Sequence, residues 1–104
     1  MALSPAYEAA VWEPITDNVY FAMAHRGHRI RCGIAGQALE ILEPKLAATG
    51  RRRLDAFESH RSLVERLAST KFDDKNWERD GITILVRVDD LHRMTGVRAE
   101  GDDR

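Results

Sequence analysis

The chain has 104 residues, of which 43% are hydrophobic and 32% are charged, and its formal net charge at pH 7 is -1. This length supports one domain with one modest core, and the charge lies far from that of strongly basic nucleic-acid-binding domains. No apolar stretch is long enough for a membrane-spanning helix. The single cysteine excludes an internal disulfide framework, and the first residues lack the basic start of a secretory signal. We therefore expect a cytoplasmic protein that does not associate with membranes.

Composition divides the chain into three parts. Residues 1–17 show no clear periodicity and contain Pro5 and Pro14, which predicts an irregular lead-in. Residues 18–90 carry regular apolar patterns and are expected to form a single domain. Residues 91–104 are mostly polar, so we expect a C-terminal tail with at most a short helical turn at its start.

A period-two pattern predicts a β-hairpin at the start of the domain. With the turn placed at Arg26 and Gly27, apolar residues on the two strands face one another. The facing pairs are Met23 with Ile30, Phe21 with Cys32, and Val19 with Ile34. A slip of one residue would set apolar positions opposite arginines, so the pattern favours a single register.

The remaining helices and strands are predicted from changes in the spacing of apolar residues along the chain. A short helix begins after Gly36 and is expected to stop near Glu43, because Pro44 cannot continue it. A second, longer helix is predicted from about Arg51 to Lys71, since apolar residues recur there at helical spacing. A third strand is predicted after Gly81 from alternating β-branched residues, namely Ile82, Ile84, Val86 and Val88. The expected fold is α+β with the order ββααβ, in which two helices cover one face of a small antiparallel or mixed sheet.

At several of these positions the chain resembles a known family of small bacterial proteins, the domain of unknown function 1488. The matching residues are Val19, Phe21, Gly27, Ile30, Cys32, Ile34, Ala38, Leu39, Phe57 and Arg61. The likeness covers roughly Asp17 to Val88, although Gly36 and Gln37 stand where family members often carry a serine and a glutamate. The resemblance implies a compact α+β domain and no assigned chemistry.

Our leading hypothesis is a non-enzymatic module that acts through protein contacts and associates with itself as a dimer. A three-stranded sheet leaves two open edges, and edges invite pairing. The outer face of the third strand is the candidate dimer surface, with Thr83, Leu85 and Arg87.

A nucleic-acid-associated regulator is the main alternative. One tyrosine and five arginines form the candidate binding surface, because an aromatic ring can stack on a base while cations neutralise phosphates. These residues are Tyr20, Arg29, Arg31, Arg51, Arg52 and Arg53. Acidic residues elsewhere in the chain argue against a strongly basic surface.

Catalytic and metal sites have weaker support. Cys32 and His60 could approach each other if the long helix packs on the hairpin, but no orienting acid or oxyanion loop accompanies them. His25 and His28 are predicted neighbours at the hairpin tip, yet two ligands do not complete a zinc site. A Cys/His enzyme is therefore a distant third hypothesis, and we assign no catalytic residue, metal ligand or cofactor.

Overall fold

The computed structural model describes residues 3–44, 49–79 and 83–93. Within them, strands and helices follow in the order of four strands, three helices, one strand and a last helix. The elements are β1 (Ser4–Pro5), β2 (Val11–Glu13), β3 (Asn18–His25), β4 (His28–Ala35), α1 (Gly36–Leu42), α2 (Gly50–Ser59), α3 (Arg61–Asp73), β5 (Thr83–Val86) and α4 (88–93). The predicted α+β class is confirmed, whereas the predicted order ββααβ is wrong because two further strands precede the hairpin. No helix among the described residues is long and apolar enough to cross a membrane.

The predicted hairpin is confirmed in its register. Strands β3 and β4 are antiparallel, and the three expected apolar pairs face each other, from Val19 with Ile34 to Met23 with Ile30. The turn residues Arg26 and Gly27 both have positive φ, 51° and 81°, as the tight two-residue turn that matches strand twist requires. This hairpin is the centre of the sheet, and every other strand pairs with one of its two strands.

Strand β5 makes the sheet mixed. It runs parallel to β4, with Arg31 opposite Thr83 and Ile34 opposite Val86. A parallel neighbour needs a long crossover, and helices α1 to α3 supply it. The third strand ends earlier than predicted, because Val88 lies in α4. There the backbone N–H of Arg87 donates to Oδ2 of Asp90 at 2.7 Å, a bond that caps the start of this helix. Ile82 lies outside the described residues.

The predicted long helix is two helices. Helix α1 ends before Pro44, as expected, but α2 and α3 meet at His60, whose φ of -115° and ψ of 17° are not helical. One straight helix over the predicted span would be about 30 Å long. The break at His60 allows Phe57 in α2 and Val64 in α3 both to be fully buried. Phe57 packs on Phe21 of β3 with ring centroids 4.9 Å apart, which places these helices on the hairpin's apolar face.

The lead-in and the tail also differ from expectation. Residues 3–17, here called the N-terminal edge, contain β1 and β2, which both pair antiparallel with β3. Such short strands leave no measurable period in the sequence, and a proline such as Pro5 is tolerated on an outer strand. At the other end Leu91, expected in a polar tail, is 2% exposed and belongs to the core. The rest of the predicted tail, 94–104, lies outside the described residues.

Candidate interaction surface

Arg53 is buried at the centre of a polar cluster and does not lie on a binding surface. The side chain is 2% exposed and donates to both carboxylate oxygens of Asp17, at 3.2 and 2.7 Å. It also donates to Glu40 at 2.9 Å and to the carbonyl of Gly36 at 3.0 Å. The prediction that Arg53 contributes to a nucleic-acid surface is therefore wrong, because its guanidinium is enclosed and already bonded.

The same cluster fixes the N-terminal edge to the helices. The indole Nε1 of Trp12 donates to Asp17 at 2.8 Å. Burial tends to raise the pKa of Asp17, but the hydrogen bonds from Arg53 and Trp12 outweigh it and hold this pKa below its usual value. The Trp12 ring also covers Gly50, where an added Cβ would overlap the ring carbons. Strand β2 and the turn after it are thus held against the start of α2.

The outer face of the hairpin carries Tyr20, Arg29 and Arg31, as the alternation predicts. The guanidinium carbon of Arg31 lies 4.3 Å from the centroid of the Tyr20 ring, a cation–π arrangement. Arg29 is bonded through Nε to Glu8 at 3.0 Å. The described residues offer Arg31 no carboxylate partner, so its charge remains available, while the charge of Arg29 is largely compensated.

The candidate dimer surface is not exposed as predicted. Thr83 is 4% exposed and Leu85 is 5% exposed. Leu85 packs over Gly33, where an added Cβ would lie 3.1 Å from a Leu85 methyl carbon. Arg87 does reach solvent, but it is paired with Glu78. Two of the three side chains are thus buried within the chain itself, and the prediction of an outer face for Thr83 and Leu85 is wrong.

The β5 edge is closed by neighbouring groups rather than open. The Thr83 carbonyl accepts from the backbone N–H of Glu78 at 2.8 Å, and the Leu85 carbonyl accepts from Nζ of Lys71 at 2.7 Å. Lys71 Nζ also pairs with Asp90 at 2.9 Å, and both side chains are about nine-tenths buried. Two of the carbonyls with which another strand could pair are therefore already bonded.

The remaining arginines of the predicted basic surface lie at the start of α2. Arg51 is 87% exposed and forms a long ion pair with Asp55 at 3.6 Å. Arg52 is exposed, and the described residues provide no partner for its side chain. Arg31 and Arg52 are thus the two predicted arginines without a carboxylate partner in the described part of the chain.

The Cys32 and His60 pairing does not form. The Cys32 thiol is fully buried and faces the carbonyl of Ile30, whereas Nε2 of His60 lies 2.9 Å from Glu43. Burial, together with the charge of Glu65, raises the pKa of Cys32 to about 12, opposite to the shift that activates a nucleophile.

The two hairpin histidines form no metal site. His25 and His28 are cross-strand neighbours, as predicted, and the His25 ring lies 4.9 Å from that of Phe72. Over 3–44, 49–79 and 83–93, no group of three or more His, Cys, Asp or Glu side chains could hold a metal ion.

Exposed apolar side chains concentrate on the N-terminal edge. Among the described residues four large apolar side chains are exposed, and three of them fall between residues 7 and 15. Tyr7 is 88% exposed, Val11 63% and Ile15 92%, while Ile41 on α1 is 42% exposed. We call Tyr7, Val11 and Ile15 the apolar edge surface. The sequence analysis missed this surface because the segment lacks periodicity, although three large apolar residues close to Pro5 and Pro14 are a usable signal.

A groove of about 770 Å³ adjoins this surface. Its walls are residues 5–10 on one side and helices α2 and α3 on the other. The lining residues are Pro5, Tyr7, Glu8, Ala9, Ala10, Leu54, Glu58, Arg61, Ser62 and Glu65.

The groove exists because the edge leaves the sheet there. Pro5 pairs with Met23 and Val11 pairs with Tyr20, so the five residues 6–10 stand opposite only two residues of β3. The surplus chain cannot keep the ladder and forms a bulge. Arg61 holds this bulge to α3 by donating from Nη2 to the carbonyl of Glu8 at 2.9 Å.

Comparison with known proteins places this fold in a family. The model of the family described as Protein of unknown function (DUF1488) matches residues 7–85. A crystal structure of a DUF1488 protein of unknown function from Shewanella loihica PV-4 is similar, with a TM-score of 0.73 and 21% identity. The similarity covers 82% of this chain and 91% of that one, and it shows a shared fold. No curated protein matches this chain. The chain belongs to the DUF1488 family.

Proposed function

We propose that this protein is a non-enzymatic module that acts through protein contacts and associates with itself through the apolar edge surface. The observation that carries the proposal is the exposure of Tyr7, Val11 and Ile15 within one short segment. Among the described residues, the exposed large apolar side chains are concentrated in this segment, and such concentrations mark sites of protein association. The proposal moves the dimer surface from β5 to the opposite edge of the sheet.

The position of this surface supports the proposal. Val11 belongs to β2 and is followed there by Trp12. Trp12 is hydrogen-bonded to Asp17, which is in turn paired with Arg53. The surface is therefore held by the folded domain before any partner arrives, so that binding need not order this segment at an entropic cost.

The self-association test compares the wild type with two variants by sedimentation velocity over a range of concentrations. Val11→Ser with Ile15→Ser removes two exposed apolar side chains that do not line the groove. We expect a wild-type dimer and a double variant whose dissociation constant is at least about tenfold higher, because each lost apolar contact costs more than 1 kcal/mol.

Ile41→Ser is the matched control, because Ile41 is, within the described part of the chain, the exposed large apolar residue outside the edge. It should dimerise like the wild type. A strictly monomeric wild type, or equal weakening by the control and the double variant, would refute self-association through this surface.

A nucleic-acid-associated role is the second candidate, and the Arg31–Tyr20 stack is the observation that favours it. Arg29, Arg51 and Arg52 would add positive charge, whereas Arg53 no longer contributes. Binding to a single-stranded oligonucleotide should weaken steeply with salt, and Arg31→Ala should reduce the salt slope. Arg66→Ala removes an exposed arginine elsewhere and is the control. An unchanged slope for Arg31→Ala excludes this role.

A further inference from the structure

The groove beside the N-terminal edge has an apolar wall and a predominantly acidic charge. Three glutamates and one arginine are its charged lining residues, namely Glu8, Glu58, Glu65 and Arg61. Arg29 binds both carboxylate oxygens of Glu8, so the acidic charge of the groove comes from Glu58 and Glu65 against Arg61. The apolar wall consists of Pro5, Tyr7, Ala9, Ala10 and Leu54. A groove of this volume is large enough for a small ligand or for the side chains of a short peptide.

The one arginine that lines the groove, Arg61, is hydrogen-bonded to groups of the protein itself. Arg61 donates from Nη1 to Glu58 at 2.9 Å and from Nε to Glu65 at 3.1 Å. Its Nη2 donates to the carbonyl of Glu8 at 2.9 Å. All three guanidinium nitrogens therefore have partners, and the Arg61 side chain is only 20% exposed. Its positive charge is shared between Glu58 and Glu65, which together carry one negative charge more than it balances.

Two of the three carboxylates keep an unused acceptor oxygen. Arg61 occupies one oxygen of Glu58 and one of Glu65, and the described residues supply no hydrogen bond to the second oxygen of either. The side chain of Glu58 is 56% exposed and that of Glu65 is 11% exposed, so Glu58 is the more open of the two carboxylates. The groove thus offers charged hydrogen-bond acceptors beside an apolar wall.

We propose that this groove binds a partner segment in which apolar residues flank one lysine or arginine side chain. The apolar residues would lie against Tyr7 and Leu54, and the basic group would bond to the free oxygens of Glu58 and Glu65. Charge-assisted hydrogen bonds of this kind are stronger than neutral ones and give the groove a preference for cations. The inference rests on the proposed function, since it names the partner that such a protein-contact module would take.

The experiment selects short random linear peptides, displayed on phage, against the full chain. The strongest peptides are then synthesised with their basic residue and with glutamine in its place, and their affinities are measured by fluorescence anisotropy. We expect enriched apolar sequences with a basic residue, and about tenfold weaker binding of the glutamine version.

Two protein variants link the binding to the groove. Glu58→Gln removes one exposed carboxylate of the groove and should weaken the basic peptide about tenfold while leaving the glutamine peptide unchanged. Asp55→Asn is the matched control, because Asp55 lies on the same helix, is exposed, and also pairs with an arginine. It should bind both peptides like the wild type.

The outcomes separate this inference from the proposed function. No enriched peptide, enriched peptides without a basic residue, or equal binding by Glu58→Gln and the wild type would overturn the inference. If Glu58→Gln breaks the wild-type dimer, the occupant is a second copy of the chain and the partner-peptide inference is wrong. Loss of the dimer in Val11→Ser with Ile15→Ser supports the proposed function whatever the peptides show.

Discussion

The β3–β4 hairpin and the N-terminal edge belong to the same sheet but are held there in different ways. The hairpin has a continuous ladder from Asn18 with Ala35 to His25 with His28, joined by a two-residue turn. The edge has two short paired stretches and depends on side chains of the helices for the rest. Ser69 bonds to Leu3, Arg61 to Glu8 and Arg53 to Asp17. The hairpin is thus determined by local sequence, whereas the position of the edge depends on the whole fold.

Replacing Arg53 is expected to disturb this arrangement most. Arg53→Met keeps the apolar stem of the side chain but removes the guanidinium and every hydrogen bond that it donates. Asp17 and Glu40 are 41% and 46% exposed, so water compensates part of the loss. We expect the free energy of unfolding, measured with urea, to fall by about 2–4 kcal/mol. Arg52→Met, at the exposed neighbouring position, should change it by less than about 0.5 kcal/mol. Equal effects of the two variants would show that the cluster does not hold the edge.

Two glycine substitutions compare the edge with the hairpin directly. In Gly36→Ala the new Cβ would lie 2.5 Å from the backbone oxygen of Asp17, so the backbone must shift. We expect a loss of about 2–3 kcal/mol. In Gly27→Ala the Cβ meets nothing within 4 Å, but φ of +81° is unfavourable for alanine, which costs about 1 kcal/mol. Thermal and urea unfolding measure both, and a larger loss for Gly27→Ala would contradict the contrast.

The smallest expected effect is a change with pH in the free energy of unfolding, and it reports on Asp17 alone when the wild type is compared with Asp17→Asn. Asp17 has a folded-state pKa below its usual value of 3.8, because bonds from Arg53 and Trp12 outweigh its burial. The unfolded chain then binds this proton more readily, so the stabilisation by Asp17 is complete above about pH 4 and is lost as the pH falls further.

The difference in free energy of unfolding between the wild type and Asp17→Asn should therefore stay nearly constant from pH 6 to about pH 4 and narrow as the pH falls further, measured by urea unfolding. Asp55→Asn controls for the removal of a carboxylate from an exposed pair. A gap that stays constant for Asp17→Asn would show that the bonds to Asp17 do not lower its pKa.

The sequence predicted the elements whose residues repeat. The hairpin register followed from facing apolar residues such as Phe21 and Cys32, and the end of α1 followed from Pro44. The break at His60 and the parallel direction of β5 depend on how helices close over the sheet, which no local period encodes. The strands of the N-terminal edge are too short to show a period at all.

The candidate surfaces were predicted less well, because charge and alternation do not report which side chains find partners. Arg31 and Arg53 look equivalent in the sequence, yet one lies over Tyr20 on the outer face and the other is enclosed. The alternation in β5 predicts an exposed Leu85, but Gly33 on the neighbouring strand has no side chain, and Leu85 packs over it and is buried. In each case, contacts with residues far away in the sequence determine whether the side chain is exposed or buried.

The closed β5 edge has a consequence for the behaviour of the protein at high concentration. A bare strand edge is a template on which another chain can add a strand, which is how aggregation and amyloid growth begin. Here the ammonium group of Lys71 caps the Leu85 carbonyl, and the N–H of Glu78 caps the Thr83 carbonyl. Another chain that meets this edge finds these two carbonyls occupied, which disfavours growth of the sheet between molecules from the β5 side.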